Sequence, residues 1–232
     1  MHPRPVLTAQ TSEATTRPTE DARARLLQAG LKLFAQQGYS KTSTRELTDA
    51  ANVNIASISY YFGDKAGLYR AVFSGASGAP EDHVALYAGR KLTLAQALRG
   101  FYAGFLEPLK QGDTARLCTK LHFREMLEPT GLWDTPDAHG ITPVHAALVA
   151  LLCRHLGLGQ ADTNLHRLAI CLAGLGVQLH VFLDINEQLL PGISEGAEAL
   201  DGWAEQLQMF GLAMVQAEAR RRGVVLGGDQ DR

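Results

Sequence analysis

Cysteine is scarce in this sequence. The 232 residues include three, Cys118, Cys153 and Cys171, an odd number at wide spacing with no C-x-x-C pair. That argues against a disulfide framework and against a zinc centre, and leads us to expect reduced thiols in the cytoplasm. Long apolar runs are missing too. The longest, Leu168 to Val177 with its glycines counted in, is ten residues, against the roughly 18 to 20 that cross a bilayer, so no membrane partner is expected. No stretch alternates apolar and polar residues between hairpin turn signals, which leaves strands without support. Net charge is also small, at −2.

What is present is the composition of an ordinary globular chain, 46% apolar and 20% charged, with enough length for one large domain or two small ones. The charge is unevenly spread. Residues 1–76 hold 9 Lys and Arg against 6 Asp and Glu, while the remainder holds 13 against 18. The basic end is therefore the one expected to meet a polyanion, although an excess of three charges is common on solvated surfaces.

Residues 1–18 are rich in Thr, Pro and Ser and read as a disordered arm. From Glu20 a helical pattern puts Ala22, Leu26, Ala29, Leu33 and Phe34 on one face and stops at Gly38. Ser43 with Glu46 three residues on forms a capping box, predicting a short helix from Thr44 to Ala51. Asn52-Val53-Asn54 interrupts it. Asn54 can cap the next helix, Ile55 to Phe62, and Asp64 a fourth from Lys65 carrying Leu68, Val72 and Phe73. The small residues from Gly75 to Pro80 make a natural linker.

Beyond Pro80 the signals stay helical. Thr93 can cap a segment that bends or ends near Pro108, and Asp113 another that Pro129 closes. Thr142-Pro143 opens Val144 to Leu156, ended by Gly157, and Asp162 opens a long segment to Ile185. A last long helix spans Glu198 to Arg222, before a fraying tail. The expected division is an arm at 1–18, a first helical domain at 19–77, a second at 80–222 and a flexible tail at 223–232. The fold class is all-α, a three-helix helix-turn-helix domain followed by a helical bundle.

Two short helices joined at Ala51-Asn52-Val53, the second ending in Tyr60-Tyr61-Phe62, have the helix-turn-helix layout, in which one helix braces and the next enters a groove. The stretch from Ala22 to Phe73, above all Thr42-Ser43-Thr44-Arg45-Glu46-Leu47 and Ile58-Ser59-Tyr60-Tyr61-Phe62-Gly63-Asp64-Lys65-Ala66-Gly67-Leu68-Tyr69, closely resembles the DNA-binding domain of the TetR family of bacterial transcription regulators. The resemblance implies an all-α, repressor-like homodimer, with three helices for DNA, a fourth leading to a variable ligand domain, and the last two long helices forming the dimer. By the same resemblance Arg45 matches a position that contacts a base edge, and Tyr60, Tyr61 and Lys65 match phosphate-binding positions. This chain has Ser59 where many members have a tyrosine, and Asn52 where many have the glycine of the turn; Asn tolerates a left-handed backbone.

Chemistry points the same way. An arginine can donate two parallel hydrogen bonds to O6 and N7 of guanine, worth about 1 to 3 kcal/mol of discrimination, so Arg45 is the base-reading candidate, beside Thr44. Helix N-termini favour phosphate, and Lys65 adds a full charge at one of them. Asn54, Ile55, Ala56, Ser57 and Ser59 offer a small, partly apolar surface for thymine methyls, with Ile58 and Phe62 behind it. The alternatives are a solvated Arg45 or one paired with Asp49, and tyrosines packed in the core.

Gly192-Ile193-Ser194-Glu195-Gly196 matches the G-x-S-x-G nucleophile elbow in letters. Leu189-Leu190-Pro191 is a poor strand, however, and no histidine follows Ser194, so an interhelical loop is the better reading and no catalytic residue is assigned. His122, Glu125, His166, His180 and Cys171 permit a metal-sensor idea, but no H-x-x-x-H accompanies them, so neither metal nor cofactor is expected. The run His122 to Thr130 is similar to a segment of one TetR subgroup. Phe101, Phe105, His122, Arg124, Glu125, Met126, Trp133, His145, Gln178 and Phe182 are candidate pocket residues for a small-molecule effector, because they set aromatic or polar groups on largely apolar helices; core packing is the plainer alternative. Leu172, Gly174, Gly176, Trp203, Leu207, Phe210 and Met214 are candidates for a two-fold four-helix interface, against closing their own core. The function expected is a DNA-binding regulator of a palindromic double-stranded operator, released by a small molecule. The rivals are a helical ligand-binding protein without DNA function and a serine hydrolase.

Overall fold

The computed structural model describes residues 17–76, 80–133 and 140–226. Most of the expected arm, the middle of the expected linker and the last six residues of the tail lie outside them. Eleven helices and no strand occur among the described residues: α1 Arg17–Gln37, α2 Thr44–Ala51, α3 Ala56–Phe62, α4 Lys65–Ala76, α5 Pro80–Ala85, α6 Leu94–Lys110, α7 Asp113–Leu127, α8 Ile141–Leu156, α9 Thr163–Val181, α10 Leu183–Leu189 and α11 Gly196–Arg222. The all-α expectation holds. The chain divides into two compact units between Val72 and Phe73, inside α4.

The first unit is small and closed by aromatics. Leu26, Phe34, Leu47, Ile58, Leu68 and Tyr69 are buried, and the Tyr69 ring packs edge to face with Phe34 at 4.9 Å and with Tyr39 at 5.2 Å, those two being tilted to each other at 6.1 Å. The sequence's caps are in place. Ser43 Oγ accepts the Glu46 N–H at 3.1 Å while Glu46 Oε2 accepts the Ser43 N–H at 2.8 Å, and Asp64 Oδ1 accepts the Gly67 N–H at 2.7 Å. Asn52 ends α2 at φ 50°, with its own N–H bonded to Asp49 and that of Val53 to Thr48, the left-handed stop that only Gly and Asn adopt readily.

In the second unit α6 is the central element. Leu98, Phe101, Tyr102, Leu106 and Leu109 are buried in a core that also takes Leu148 and Leu152 from α8, Leu165, Leu172 and Leu179 from α9, and Leu207 and Val215 from α11. Several boundaries differ from the sequence reading. Pro108 neither ends nor breaks α6, which continues to Lys110. Gly112, not Asp113, occupies the cap of α7, at φ 89° where a side chain would be strained. Gly140 caps α8, so Thr142 and Pro143 fall inside its first turn. The segment expected to run to Ile185 breaks at Phe182 into α9 and α10, 74° apart. No single helix among the described residues is long and apolar enough to cross a membrane. Pro80, expected as linker, begins α5. At the other end Gly223 stops α11 in a left-handed turn, with Val224 N–H bonded to Ala219 and Leu226 against the core, so the expected tail is held over its first residues.

Two glycines of α9 behave oppositely. A Cβ on Gly176 would stand 2.6 Å from the Phe105 ring, whereas one on Gly174 would meet nothing within 4 Å. Gly176→Ala is therefore expected to lower stability by about 1 to 3 kcal/mol through overpacking. Gly174→Ala should raise the stability of an isolated chain by up to about 1 kcal/mol from helix propensity. Denaturant melts of the two variants check both signs.

Candidate nucleic-acid interface and ligand cleft

In the first unit α2 and α3 both pack on α1, and α3 is anchored by one fully buried residue, Ile58. Its other side is open. Ala56, Ser59 and Tyr60 are exposed, as are Asn54 and Ile55 before them, Tyr60 to 77%. Ile55, not Asn54, holds the cap position of α3, without a side-chain cap bond, and the helix starts one residue later than the sequence puts it; Asn54 Oδ1 accepts the Ala56 N–H at 2.9 Å just ahead of it. Ser57 and Tyr61 are half-buried, and Tyr61 meets Tyr60 edge to face at 4.8 Å. Phe62 is half-buried under the Arg23 guanidinium, 5.5 Å from the ring centre.

On α2, the Thr44 carbonyl is occupied by the Thr48 hydroxyl at 3.1 Å. The Arg45 side chain is 87% exposed, and its nearest carboxylate, Asp49, lies 3.9 Å away and is itself 74% exposed. That pair is loose and solvated, worth a few tenths of a kcal/mol at most, so the guanidinium can leave it at little cost. Lys65 is held differently. Its Nζ sits 4.2 Å over the Tyr39 ring, and partial burial lowers its pKa while Glu46 pulls the other way. The same arrangement, with the Ser43 hydrogen bonds as the larger cause, lowers the pKa of Glu46.

In the second unit a cleft of about 540 Å³ opens among α5, α6, α7 and α9, lined by Asp82, His83, Phe105, Glu107, Cys118, Thr119, His122, Phe123 and His180 among others. Glycines make room for it. A Cβ on Gly104 would collide with the His83 imidazole, so only glycine lets that ring lie flat on α6. His83 Nε2 reaches the Phe101 carbonyl at 2.8 Å and His180 Nε2 the Phe105 carbonyl at 2.8 Å; a carbonyl only accepts, so both nitrogens donate. The rings form an array, His83 stacked on Phe101 and edge-on to Phe105, His180 stacked on Phe123 at 4.9 Å, and His122 stacked on Phe73 at 5.7 Å.

Burial pushes His180 down from 6.5 to about 4, aided by His122, and lowers His83 for the same reason. The unfolded chain therefore binds more protons than the native one between those two values, and stability falls as pH drops from 6.5 to about 4. The expected loss is on the order of 3 kcal/mol from His180. His180→Gln should flatten that part of a stability-against-pH curve.

The structure gathers only part of the expected pocket. Phe105 and His122 line the cleft, and Phe101 lies directly beneath His83. The other seven are elsewhere. Glu125 is buried, but its Oε1 accepts both the N–H and the hydroxyl of Thr130 at 2.8 Å, bracing the turn after α7. Arg124 pairs with Glu128 at 2.9 Å. Met126 is half-buried outside the lining, Trp133 packs on Phe73, and His145 is hydrogen-bonded to His166 at 2.9 Å. Gln178 receives a bond from Asn186, and Phe182 is exposed at the α9–α10 break. His83, His180 and Phe123 were not chosen from sequence; the glycine pair Gly100 and Gly104, four apart on α6, is the signal that marks a close approach there.

The expected dimer residues also divide. Leu172, Gly176 and Leu207 are buried in the chain's own core, and Trp203 donates to the Ile193 carbonyl and the Ser194 hydroxyl. Within the single chain these four pack in their own unit. Gly174 and Phe210 are exposed and Met214 is half-exposed. They belong to an uncovered strip that adds Ile170 and Cys171 on α9 and Met209 and Ala213 on α11. Ser194 is buried beneath Trp203, and Glu187 takes its N–H and that of Gly192, so the G-x-S-x-G letters encode a pinned loop. Among the described residues no three His, Cys, Asp or Glu groups are placed to hold a metal ion.

A capped helix-turn-helix with an open second helix, followed by a helical unit with a cleft, defines a DNA-binding regulator of the two-domain bacterial kind. The chain belongs to the TetR family of transcriptional regulators. Residues 26–72 match the bacterial regulatory proteins of the tetR family, and residues 94–217 match the C-terminal domain of the HTH-type transcriptional dual regulator CecR. It is similar to that CecR from Shigella flexneri, 31% identical over 163 residues that cover 66% of this chain and 72% of the relative. The fold is shared with a TetR-like transcriptional regulator from Rhodococcus sp. RHA1, at 18% identity, 83% and 96% coverage and a TM-score of 0.56. It is shared as well with NalD of Pseudomonas aeruginosa, the secondary repressor of the MexAB-OprM multidrug efflux pump, at 17% identity, 83% and 97% coverage and a TM-score of 0.53.

Proposed function

We propose that the protein is a cytoplasmic repressor that binds a palindromic operator as a homodimer and leaves it when a small molecule enters the α5–α6–α7–α9 cleft. The observation that carries the proposal is the open face of α3, a helix anchored by Ile58 alone with Ile55 and Tyr60 in solvent. Apolar and aromatic groups held in water on a braced helix are what a major groove with thymine methyls and flanking phosphates accepts. Arg45 supplies the base-edge contact, while Tyr60, Tyr61 and Lys65 supply phosphate contacts that set register. The strip of Ile170, Gly174, Met209 and Phe210 supports a four-helix dimer interface, since exposed apolar strips of this kind seek a partner. Two copies then read half-sites about one helical repeat apart.

A cleft ligand acts only if it binds one dimer geometry better than the other. His122 offers the lever, because it lines the cleft and stacks on Phe73 of α4. The test is selection of bound fragments from sheared genomic DNA, followed by gel shifts at stated salt. A two-fold symmetric motif bound at least about a thousandfold more tightly than random DNA is expected. Absence of any sequence preference in the purified dimer overturns the reading. The likeness to a dual regulator favours one second reading, activation at some sites, and a promoter fusion distinguishes it by the sign of the response.

A further inference from the structure

The cleft carries a chemical signature of its own. Its lining includes His83, His180, Phe105, Phe123, Asp82 and Glu107, and no lysine or arginine among the described residues. The two carboxylates are exposed. Glu107 lies 3.5 Å from Lys110, but that ammonium is engaged more closely by Asp201, at 2.7 Å, so the rim stays negative. The imidazoles of His83 and His180 both spend Nε2–H on backbone carbonyls, which fixes the neutral tautomer with Nδ1 as an acceptor. Burial disfavours protonation of either. Phe105 and Phe123 supply ring faces beside these acceptors.

We infer that the cleft selects a flat aromatic hydrogen-bond donor carrying a positive charge, of the aromatic-amine or amidine class, and rejects carboxylates, phosphates and acyl anions. The N–H groups of such a ligand meet Nδ1 acceptors, its ring stacks against Phe123 or Phe105, and its charge is matched by Asp82 and Glu107 and by the aromatic faces. An anion would find no lysine or arginine among the described lining residues and two carboxylates at the rim. This inference rests on the reading of the cleft as the effector site, and deepens it by naming the ligand class.

The experiment uses the full-length protein without DNA, so it does not depend on an operator being known. Two probes share one ring frame and differ in charge, 9-aminoacridine and acridine-9-carboxylate. Calorimetric titration is expected to give one saturable 9-aminoacridine site per chain, with Kd lower than that of the carboxylate by about tenfold or more. Asp82→Asn, at an exposed position that leaves folding alone, should narrow the gap several-fold, and Phe123→Leu should weaken the cation, with a thermal melt recorded alongside to separate lost binding from lost stability. Equal or tighter binding of the carboxylate overturns the inference, as does binding of neither probe or insensitivity to both substitutions. If acridine-9-carboxylate binds the cleft and releases operator DNA, the ligand class is wrong while the effector reading stands. If 9-aminoacridine binds as expected and leaves a verified operator complex untouched, the class is right and the effector reading falls.

Discussion

Phe210→Asp is expected to give a folded monomer that has lost operator binding by at least about a hundredfold, because each half-site must then be bound without the avidity of the linked pair. Phe210 is 46% exposed, and its neighbours on the same strip, Met209 at 52% and Ile170 at 61%, are exposed as well, so a carboxylate there stays hydrated in the separate chain. In a two-fold interface the same substitution occurs twice across one axis, and two like charges must be stripped of water without a partner, a cost of several kcal/mol. Sedimentation velocity at micromolar protein reads the assembly, and far-UV circular dichroism with a thermal melt reads the fold. Leu207→Asp is the contrast. Leu207 is 1% exposed in the chain's own core, so its substitution should unfold the unit rather than split a dimer. A dimeric Phe210→Asp protein with unimpaired operator binding would remove the α9–α11 strip from the account.

Gly174 sharpens the same argument. In the isolated chain an added methyl meets open space and improves helix propensity. If the strip is an interface, that methyl sits between two closely approaching backbones and weakens association. Opposite signs for chain stability and dimer affinity in Gly174→Ala would be difficult to obtain from any surface other than a helix–helix contact.

The features that were legible in the sequence are those decided within four or five residues. The Ser43–Glu46 box, the Asp64 and Asp162 caps and the Gly157 stop each close hydrogen bonds to neighbouring backbone, so residue order alone determines them. The turn at Asn52 is of this kind too, and it carries the helix-turn-helix with it. What could not be read depends on which neighbour arrives from far along the chain. Gly174 and Gly176 look alike in the sequence, yet only Gly176 receives the Phe105 ring. Glu125 resembles a ligand-orienting carboxylate until the turn after α7 brings Thr130 to it. His83 lies in a six-residue helix, α5, too short to show periodicity, and becomes part of the cleft because Gly104 leaves a space for its ring on α6. The leucines chosen for the interface illustrate the same limit, since a helix that is apolar all round does not say which side faces its own core.

Arg45 and Lys65 should fail in different ways, and the structure gives the reason. Arg45 is free of tight contacts, its Asp49 partner being 3.9 Å away and solvated, so in Arg45→Ala the free protein should be unchanged in stability within about 0.5 kcal/mol. What is lost is recognition. One bidentate guanine contact per half-site amounts to about 1 to 3 kcal/mol each, so operator affinity should fall steeply while random DNA is bound nearly as before, and mutating the matching base pair should no longer matter. Lys65 is partly buried against Tyr39 and close to Glu46, already positioned as a charge at the start of α4. Lys65→Ala should weaken operator and random DNA by similar factors and reduce the slope of log K against log salt by about one per half-site. Lys65→Gln keeps much of the packing over Tyr39 and should lose the same salt slope, which separates the charge from any effect on folding. Asp49→Ala completes the set. It frees Arg45 from its loose neighbour and removes a negative charge from the DNA face, so binding should tighten modestly at low salt without a change in base preference. Parallel losses on specific and random DNA for both Arg45→Ala and Lys65→Ala would mean that α2 contacts only phosphates, and base reading would then rest on the small side chains of α3 alone.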